Sequence, residues 1–119
     1  MNNLPLGRLG EEIATQFLQK QGYKILDRNY HQRWGEVDIF ALDKDVLVAV
    51  EVKTRMINDP FTPEASITSK KKRLLQKEIL LYKSKNSSLP SLLRIDFVGI
   101  VLKEDLTLER INLIKNISF

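Results

Sequence analysis

Two segments of the chain carry apolar residues at the spacing of an amphipathic helix. The stripe in residues 6–20 consists of Leu6, Leu9, Ile13 and Phe17. The stripe in residues 68–83 consists of Leu75, Ile79 and Tyr82. Residues three or four positions apart lie on the same side of a helix, so each segment is predicted to form a helix with one buried side. We expect Gly22 to end the first helix and Thr68 or Ser69 to cap the second.

Five other segments are predicted to be strands: residues 23–30, 36–42, 46–53, 92–101 and 106–114. In residues 46–53, valine occupies every second position from Val46 to Val52, and β-branched residues favour strands. The predicted order is one helix, three strands, one helix and two strands (αβββαββ). This order indicates a mixed sheet with helices packed on it, an α/β (α+β) fold. A chain of 119 residues is expected to form a single domain over positions 1–119.

A tight turn is expected between the strands at 36–42 and 46–53. If Lys44 and Asp45 are its central residues, Asp43 pairs with Val46. Successive side chains of a strand point to opposite faces of the sheet. The apolar face of the first strand is therefore predicted to consist of Val37, Ile39 and Ala41.

Counting back from this turn brings four charged residues together on the other face. Asp38 falls opposite Glu51, and Glu36 falls opposite Lys53. Directly opposed side chains have Cβ atoms about 5 Å apart, and two like charges at that distance destabilise a sheet. We therefore expect a cation between the carboxylates, and either Lys53 or a divalent metal ion would serve. The alternative is a purely structural salt-bridge cluster among the four side chains.

The donor atoms of this group limit the metal chemistry. The chain has no cysteine, which excludes thiolate metal sites and cysteine nucleophiles. Carboxylate oxygens from Asp38 and Glu51 suit a hard cation, Mg²⁺ or Mn²⁺. Such an ion can activate water for attack on a phosphoryl group. Lys53, on the same face as Glu51, would orient that water or stabilise the developing negative charge.

The first helix contributes one more acid. At about 100° per residue, Glu11 lies about 20° from Leu18, at the border of the apolar side. Glu12 lies on the far side, four residues after Arg8, where an ion pair with that arginine is expected. Glu11 is therefore the acid that is placed to point into a site beside the core.

Positive charge is concentrated in residues 70–85. That segment holds seven basic residues and one acid, Glu78, a net charge of +6 in a chain whose total is +4. A basic stripe on a slightly acidic body is typical of a polyanion binder, and a solvated helix face is the simpler alternative. The residues expected to contact nucleic acid are Lys70, Lys71, Lys72, Arg73 and Lys77, with Arg33 and Arg55 near the ends of the hairpin strands.

Two further sites and the expected location of the protein can also be inferred from the sequence. Tyr30 and Trp34 flank the turn before Gly35, where each would either stack on an unpaired base or cover the sheet edge. Asp96 lies in an apolar strand, so its burial requires a partner, and either Arg94 or a backbone group is expected. The absence of cysteine, of a secretory signal and of a stretch long enough to span a bilayer favours a cytoplasmic location without membrane contact.

The spacing of these residues resembles that of a known family over nearly the whole chain. The residues that carry the resemblance are Gly10-Glu11, Gly22-Tyr23, Arg28-Asn29, Gly35-Glu36-Val37-Asp38, Glu51-Val52-Lys53-Thr54-Arg55, the basic helix that starts near Lys71, and Arg94-Ile95-Asp96-Phe97-Val98. The pattern is similar to the PD-(D/E)XK nuclease superfamily and, more narrowly, to the uncharacterised UPF0102 family, also called YraN-like endonucleases. Val37 stands where the name of the superfamily has proline.

The resemblance implies a restriction-endonuclease-like fold, similar to archaeal Holliday-junction resolvases, and metal-dependent hydrolysis of DNA. It implies that Asp38, Glu51 and the backbone carbonyl of Val52 bind Mg²⁺ or Mn²⁺. It further implies that Lys53 is the catalytic base or charge stabiliser and that Glu11 is an accessory acid near the metal. Structured or branched DNA would be the substrate, and a homodimer would supply two sites for two strands. The alternative is a nucleic-acid-binding module that keeps this fold and performs no chemistry.

Overall fold

The computed structural model describes residues 5–117 and confirms the predicted order of elements. The helices are α1 (Leu6–Lys20) and α2 (Ser69–Ser84), and the strands are β1 (Lys24–Gln32), β2 (Gly35–Asp43), β3 (Val46–Met56), β4 (Leu92–Leu102) and β5 (Leu108–Ile114). A short 3₁₀ helix, Pro63–Ser66, lies between β3 and α2. Within the described residues, no helix is long and apolar enough to cross a membrane.

The five strands form one mixed sheet in the order β1-β2-β3-β4-β5. β3 and β4 run parallel, and the other neighbouring strands are antiparallel. Parallel neighbours cannot be joined by a tight turn, and α2 lies in the crossover that joins them. α1 packs on one face of the sheet and α2 packs on the other. The core therefore has two layers, one on each side of the central strands.

The ends of both helices follow the signals in the sequence. Thr68 caps α2, because its Oγ1 accepts a hydrogen bond of 3.1 Å from the backbone N–H of Lys71. At the end of α1, Gly22 adopts a φ of +96°, which favours glycine, and its N–H donates to the carbonyl of Gln19 at 3.0 Å. The chain can therefore leave the helix and enter β1 within a few residues.

The β2–β3 hairpin has the predicted register over half of its length. Asp43 pairs with Val46, and Lys44 in the turn has a φ of +56°. The pairing between the two strands ends at Ile39 and Val50. Beyond this point β2 remains paired with β1, and β3 remains paired with β4. The sheet therefore opens between its second and third strands.

This opening contradicts the predicted opposition of Glu36 and Lys53. The partner of Glu36 across the ladder is His31 in β1, and His31 Nε2 lies 3.0 Å from Glu36 Oε1. Lys53 pairs with Gly99 in β4. The prediction was wrong because it extended a regular ladder past the point where the strands separate.

The predicted apolar face of β2 was also wrong at one position. Val37 packs in the cluster on the α2 side of the sheet, whereas Ile39 and Ala41 pack in the cluster on the α1 side. Regular alternation would put all three side chains on one face. The strand therefore changes its facing at the intervening residue, Asp38.

A buried polar network holds the opposite end of the sheet. The Asp96 side chain is fully buried and accepts hydrogen bonds from Tyr23 Oη (2.6 Å), Arg94 Nε (2.8 Å) and the backbone N–H of Asn116 (3.0 Å). The partnership with Arg94 confirms the expectation from the sequence. Arg94 also donates to Asp43 at 2.7 Å, so the network joins β4 to the β2–β3 turn and to the end of β5.

Replacing Asp96 with alanine should therefore destabilise the fold. The change removes one partner of a buried ion pair with Arg94, a loss that typically costs about 3–5 kcal/mol. Asp45→Ala in the exposed β2–β3 turn is the matched control, and it should change the free energy of unfolding by less than about 0.5 kcal/mol. Urea unfolding of both variants measures the difference. An Asp96→Ala variant as stable as the control would contradict this structural role.

Candidate active site

The opening in the sheet begins where a side chain replaces a backbone partner. The backbone N–H of Val52 donates a hydrogen bond of 2.8 Å to Asp38 Oδ2. In a regular ladder with the observed register, Val52 would exchange its backbone hydrogen bonds with Val37. The N–H and C=O of a strand residue point to the same side. The carbonyl of Val52 therefore also faces the opening, beside the Asp38 carboxylate.

Glu51 approaches the opening from the α2 side of the sheet. Strand alternation puts it on the same face as Leu47 and Ala49, both of which belong to the α2-side cluster. Its carboxyl group lies within hydrogen-bonding reach of Asp38. Its partner from α2 is Lys71, with 3.4 Å between Lys71 Nζ and Glu51 Oε2. Lys71, which was predicted to contact nucleic acid, thus contacts one of the carboxylates of the site.

Glu11 approaches the opening from α1. Gly10 allows this approach, because a Cβ at that position would overlap the side chain of Thr54 in β3. The side-chain amide of Asn29 donates to Glu11 Oε1 at 2.8 Å, and the Glu11 carboxyl lies within hydrogen-bonding reach of Asp38. Asn29 adopts a φ of +50°, a conformation that asparagine tolerates better than most residues.

Glu11 and Glu12, the two neighbouring acids of α1, point in different directions, as predicted. The partner of Glu12, however, is not the predicted one. Glu12 points away from the opening and forms an ion pair of 2.9 Å with Arg28 in β1. The expected i,i+4 pair between Glu12 and Arg8 was wrong, because β1 brings Arg28 within reach of the same helix face. Glu11 alone of the two contacts the site.

Burial governs the titration of the three acids. Burial and then the charge of Asp38 raise the pKa of Glu51 to about 7, although Lys71 lowers it. Burial and then the charges of Asp38 and Glu36 raise the pKa of Glu11 to about 7. Burial also raises the pKa of Asp38, against the opposing effect of the Val52 N–H. The group is therefore short of positive charge.

Lys53 does not supply that charge. It lies on the same face as Glu51 by strand alternation and is half-buried. Across residues 5–117, Lys53 forms no ion pair, whereas Glu36 pairs with His31 and Glu51 pairs with Lys71. The alternative of a salt-bridge cluster among Glu36, Asp38, Glu51 and Lys53 is therefore wrong.

The donor set is suited to a hard cation, and its arrangement is not that of a closed metal site. Among the residues that the structure describes, no three carboxylate or imidazole groups surround a common point as metal ligands would. Glu11 and Glu51 instead each lie near Asp38, whose charge helps to raise the pKa of both. All the available donors, including the carbonyl of Val52, are oxygen atoms, which suits Mg²⁺ or Mn²⁺.

The other residues predicted to contact nucleic acid lie at three places: on α2, in the β1–β2 turn and near the end of β3. Lys70, Arg73 and Lys77 are exposed on α2, and Lys72 is half-buried there. Arg33 lies in the β1–β2 turn with its guanidinium 5.6 Å from the ring centre of Trp34. Arg55 lies apart, beside a shallow depression of about 260 Å³ at the far end of β3. Its guanidinium is 3.6 Å from Asp59.

Sequence reasoning missed the parts that Lys71 and Asn29 take in this group. The contact of Lys71 with Glu51 depends on how α2 crosses β3, which helix periodicity does not determine. Asn29 carried a weak signal, since an asparagine within a predicted strand is a common site of positive φ. Its hydrogen bond to Glu11 links β1 to α1.

The fold and the site define a mixed α+β domain whose sheet opens beside three carboxyl groups and a basic helix. The chain belongs to UPF0102, an uncharacterised protein family whose model matches residues 10–100. The matched region contains Glu11, Asp38, Glu51 and Lys53.

Relatives of this family match most of the chain. A UPF0102 protein of Carboxydothermus hydrogenoformans is 44% identical over 105 residues, which cover 88% of this chain and 89% of the relative. A UPF0102 protein of Syntrophomonas wolfei is 40% identical over 102 residues, which cover 86% and 89%. A UPF0102 protein of Caldicellulosiruptor saccharolyticus is 39% identical over 116 residues and is covered over 98% of both chains.

The raised pKa values predict a specific pH dependence of stability. Glu11 and Glu51 ionise near pH 7 in the folded protein, against 4.5 for an ordinary glutamate. Between these values the unfolded chain releases protons that the folded protein keeps, so both groups lower the free energy of unfolding as the pH rises. Glu51→Gln removes one of them. Its stability relative to wild type should increase by about 1–3 kcal/mol between about pH 4.5 and pH 8.

Urea unfolding across this pH range, with EDTA present, measures the effect. Glu104→Gln, in the exposed connection between β4 and β5, is the matched control, and its stability relative to wild type should not change with pH. If both variants follow the wild-type pH profile in parallel, the environment assigned to Glu51 is wrong.

Proposed function

We propose that this protein is a metal-dependent DNA endonuclease of the PD-(D/E)XK type. The observation that carries the proposal is the convergence of Glu11, Asp38 and Glu51 from three different elements at the point where the sheet opens. Holding three half-buried carboxyl groups near one another is unfavourable unless a cation or protons offset their charge. A group of this kind is typical of a functional site and is poorly explained by stability.

Asp38, Glu51 and the backbone carbonyl of Val52 would bind Mg²⁺ or Mn²⁺. When bound, the ion would polarise a phosphoryl oxygen and lower the pKa of an attacking water. The Val52 N–H supports this role, because it holds the Asp38 carboxylate beside the Val52 carbonyl. Glu11, fixed by the amide of Asn29, would be the accessory acid.

The basic residues would bind and orient the substrate. Lys53 lies two residues beyond Glu51 on the same face, where its ammonium group would orient the attacking water or stabilise the negative charge that develops on the phosphate. Lys71 and the exposed cations of α2 would contact the DNA backbone. DNA as the polyanion, a branched structure as the substrate, a homodimer and a cytoplasmic location are all parts of this proposal.

A nucleic-acid-binding module without chemistry is the second candidate. It rests on the positive charge of residues 70–85 alone. It requires salt-dependent DNA binding with no divalent metal binding at Asp38 and Glu51.

Metal binding separates these two candidates. Isothermal titration of Mg²⁺ and Mn²⁺ into the purified protein, alone and with a four-way DNA junction, should give a binding isotherm that Asp38→Asn abolishes. Asp45→Asn is the matched control, because it makes the same substitution at the turn of the same hairpin and should bind as wild type does. Equal binding by the two variants would exclude Asp38 as a ligand. Absence of metal binding in both conditions would favour the binding module.

Cleavage assays test the roles of individual residues. With Mn²⁺ or Mg²⁺, Asp38→Asn, Glu51→Gln and Lys53→Ala should each lower the rate of DNA cleavage by about 100-fold or more, because each removes a group that acts on the reacting phosphate. Glu104→Gln should cleave at the wild-type rate. Circular dichroism and thermal unfolding establish that each variant is folded. Cleavage at the wild-type rate by the three site variants would end the catalytic assignment.

A further inference from the structure

The tip of the β1–β2 hairpin carries an aromatic ring that the core does not use. Gln32 pairs with Gly35, so Arg33 and Trp34 form the turn. The side chain of Tyr30, by contrast, packs edge-on against Phe40 and Tyr82 with ring centres 5.9 and 5.2 Å apart. Tyr30 therefore covers the sheet, whereas Trp34 retains 40% of its surface exposed.

Two cations border the exposed ring. The guanidinium of Arg33 lies 5.6 Å from the ring centre of Trp34, and Lys77 Nζ lies 5.9 Å from it. Both side chains are long, exposed and rotatable. A cation–π contact at an exposed site contributes about 0.5–1 kcal/mol, whereas the stacking of a nucleic-acid base contributes about 1–3 kcal/mol. A base can therefore displace either cation from the ring and leave it beside the adjoining phosphate.

Gln32, at the end of β1, ties the hairpin tip to Glu78 of α2. Glu78 is the single acid of the basic segment, and only 1% of its surface is exposed. The side-chain amide of Gln32 donates to its backbone carbonyl at 2.8 Å. Burial raises the pKa of Glu78, and the backbone N–H of Trp34 and the amide of Gln32 act in the opposite direction. The turn is thus fixed to α2 at Gln32, on one side of Arg33, and the Trp34 ring remains partly exposed.

A line of positive charge joins this ring to the carboxyl groups. Lys70, Arg73 and Lys77 are spaced i, i+3 and i+7, so they share one flank of α2, and all three are exposed. We call these residues the basic flank. Lys71, next to Lys70, contacts Glu51. The distance along the helix axis from Lys71 to Lys77 is about 9 Å.

The ring also lies at a fixed separation along β2 from the candidate active site. Trp34 immediately precedes β2, four residues before Asp38, which corresponds to about 13 Å of extended chain. Stacked nucleotides rise about 3.4 Å each, so a few nucleotides span this distance.

We propose that Trp34, with Arg33 and the basic flank, is a stacking platform for an unpaired base, so that the substrate is DNA with single-stranded or unpaired nucleotides next to the cleaved phosphate. In paired DNA, each base already stacks on its neighbours and its faces are inaccessible. An unpaired base can stack on the ring while the basic flank binds the phosphates that follow it. The inference rests on the proposed function in requiring nucleic acid as the ligand, and it names the class of substrate.

The chain has one tryptophan, so its intrinsic fluorescence reports on Trp34 alone. We would titrate the protein, in EDTA, with a short oligothymidylate and with a blunt duplex of equal charge. Oligothymidylate should quench the fluorescence to saturation, and the duplex should leave it nearly unchanged. In parallel, the anisotropy of labelled oligonucleotides measures binding independently of the ring.

Variants separate stacking from charge. Trp34→Ala should weaken oligothymidylate binding by about 5- to 150-fold, the range that corresponds to the loss of one stacked base, and should leave duplex binding unchanged. Trp34→Phe keeps an aromatic face and should retain most of the affinity. Lys77→Gln should weaken the binding of both ligands and lower the dependence of affinity on salt, because it removes a phosphate contact.

The outcomes distinguish this inference from the proposed function. Binding of oligothymidylate without a change in tryptophan fluorescence, or an equal loss of single-strand and duplex binding in Trp34→Ala, would overturn the platform and leave the nuclease proposal standing. Failure of every DNA ligand to bind in EDTA would overturn the platform, and failure to bind with Mg²⁺ or Mn²⁺ present as well would overturn both. Quenching specific to single strands together with inactive metal chemistry would support the platform and contradict the nuclease proposal.

Discussion

The hydrogen bond from the backbone N–H of Val52 to the Asp38 carboxylate is the interaction on which the site depends. It takes the place of a backbone bond between β2 and β3, and the two strands separate from there onward. The same contact holds an acid in the plane of the sheet, where acids from both faces can reach it. Glu11 comes from the α1 side and Glu51 from the α2 side. One side-chain to backbone contact therefore opens the sheet and assembles the group.

The acids at the two ends of the central strands, Asp96 and Asp38, differ in how well their charge is matched by hydrogen-bond donors and cations. At one end, Asp96 is fully buried and accepts hydrogen bonds from Tyr23, Arg94 and the backbone of Asn116. At the other end, Asp38 has a backbone donor and two neighbouring acids whose pKa values lie near 7. A buried acid whose hydrogen bonds and charge are fully matched is typical of a structural element. An acid that lacks enough positive charge around it is typical of a site that acts on a ligand.

The basic segment at 70–85 has three distinct parts, although it is one run in the sequence. Lys71 contacts Glu51 and so lies next to the carboxyl groups of the candidate active site. Glu78 is buried and fixes the β1–β2 turn through Gln32. The basic flank remains exposed beside Trp34. Helix geometry explains the division, because residues 71 and 78 are two turns apart on the sheet side and the flank lies to one side of them.

Periodicity in the sequence determined the two helices, the five strands, their order and the pairing of Asp43 with Val46. It also distinguished Glu11 from Glu12, because the apolar stripe of α1 leaves one of them at its border. It did not determine where β2 leaves β3, which residue lies opposite Glu36, or that Lys71 and not Lys53 contacts Glu51. Local patterns specify which face a residue occupies while the backbone is regular. Only the tertiary structure decides where a side chain replaces a backbone partner and how a helix crosses the sheet, because these depend on contacts between residues far apart in the chain.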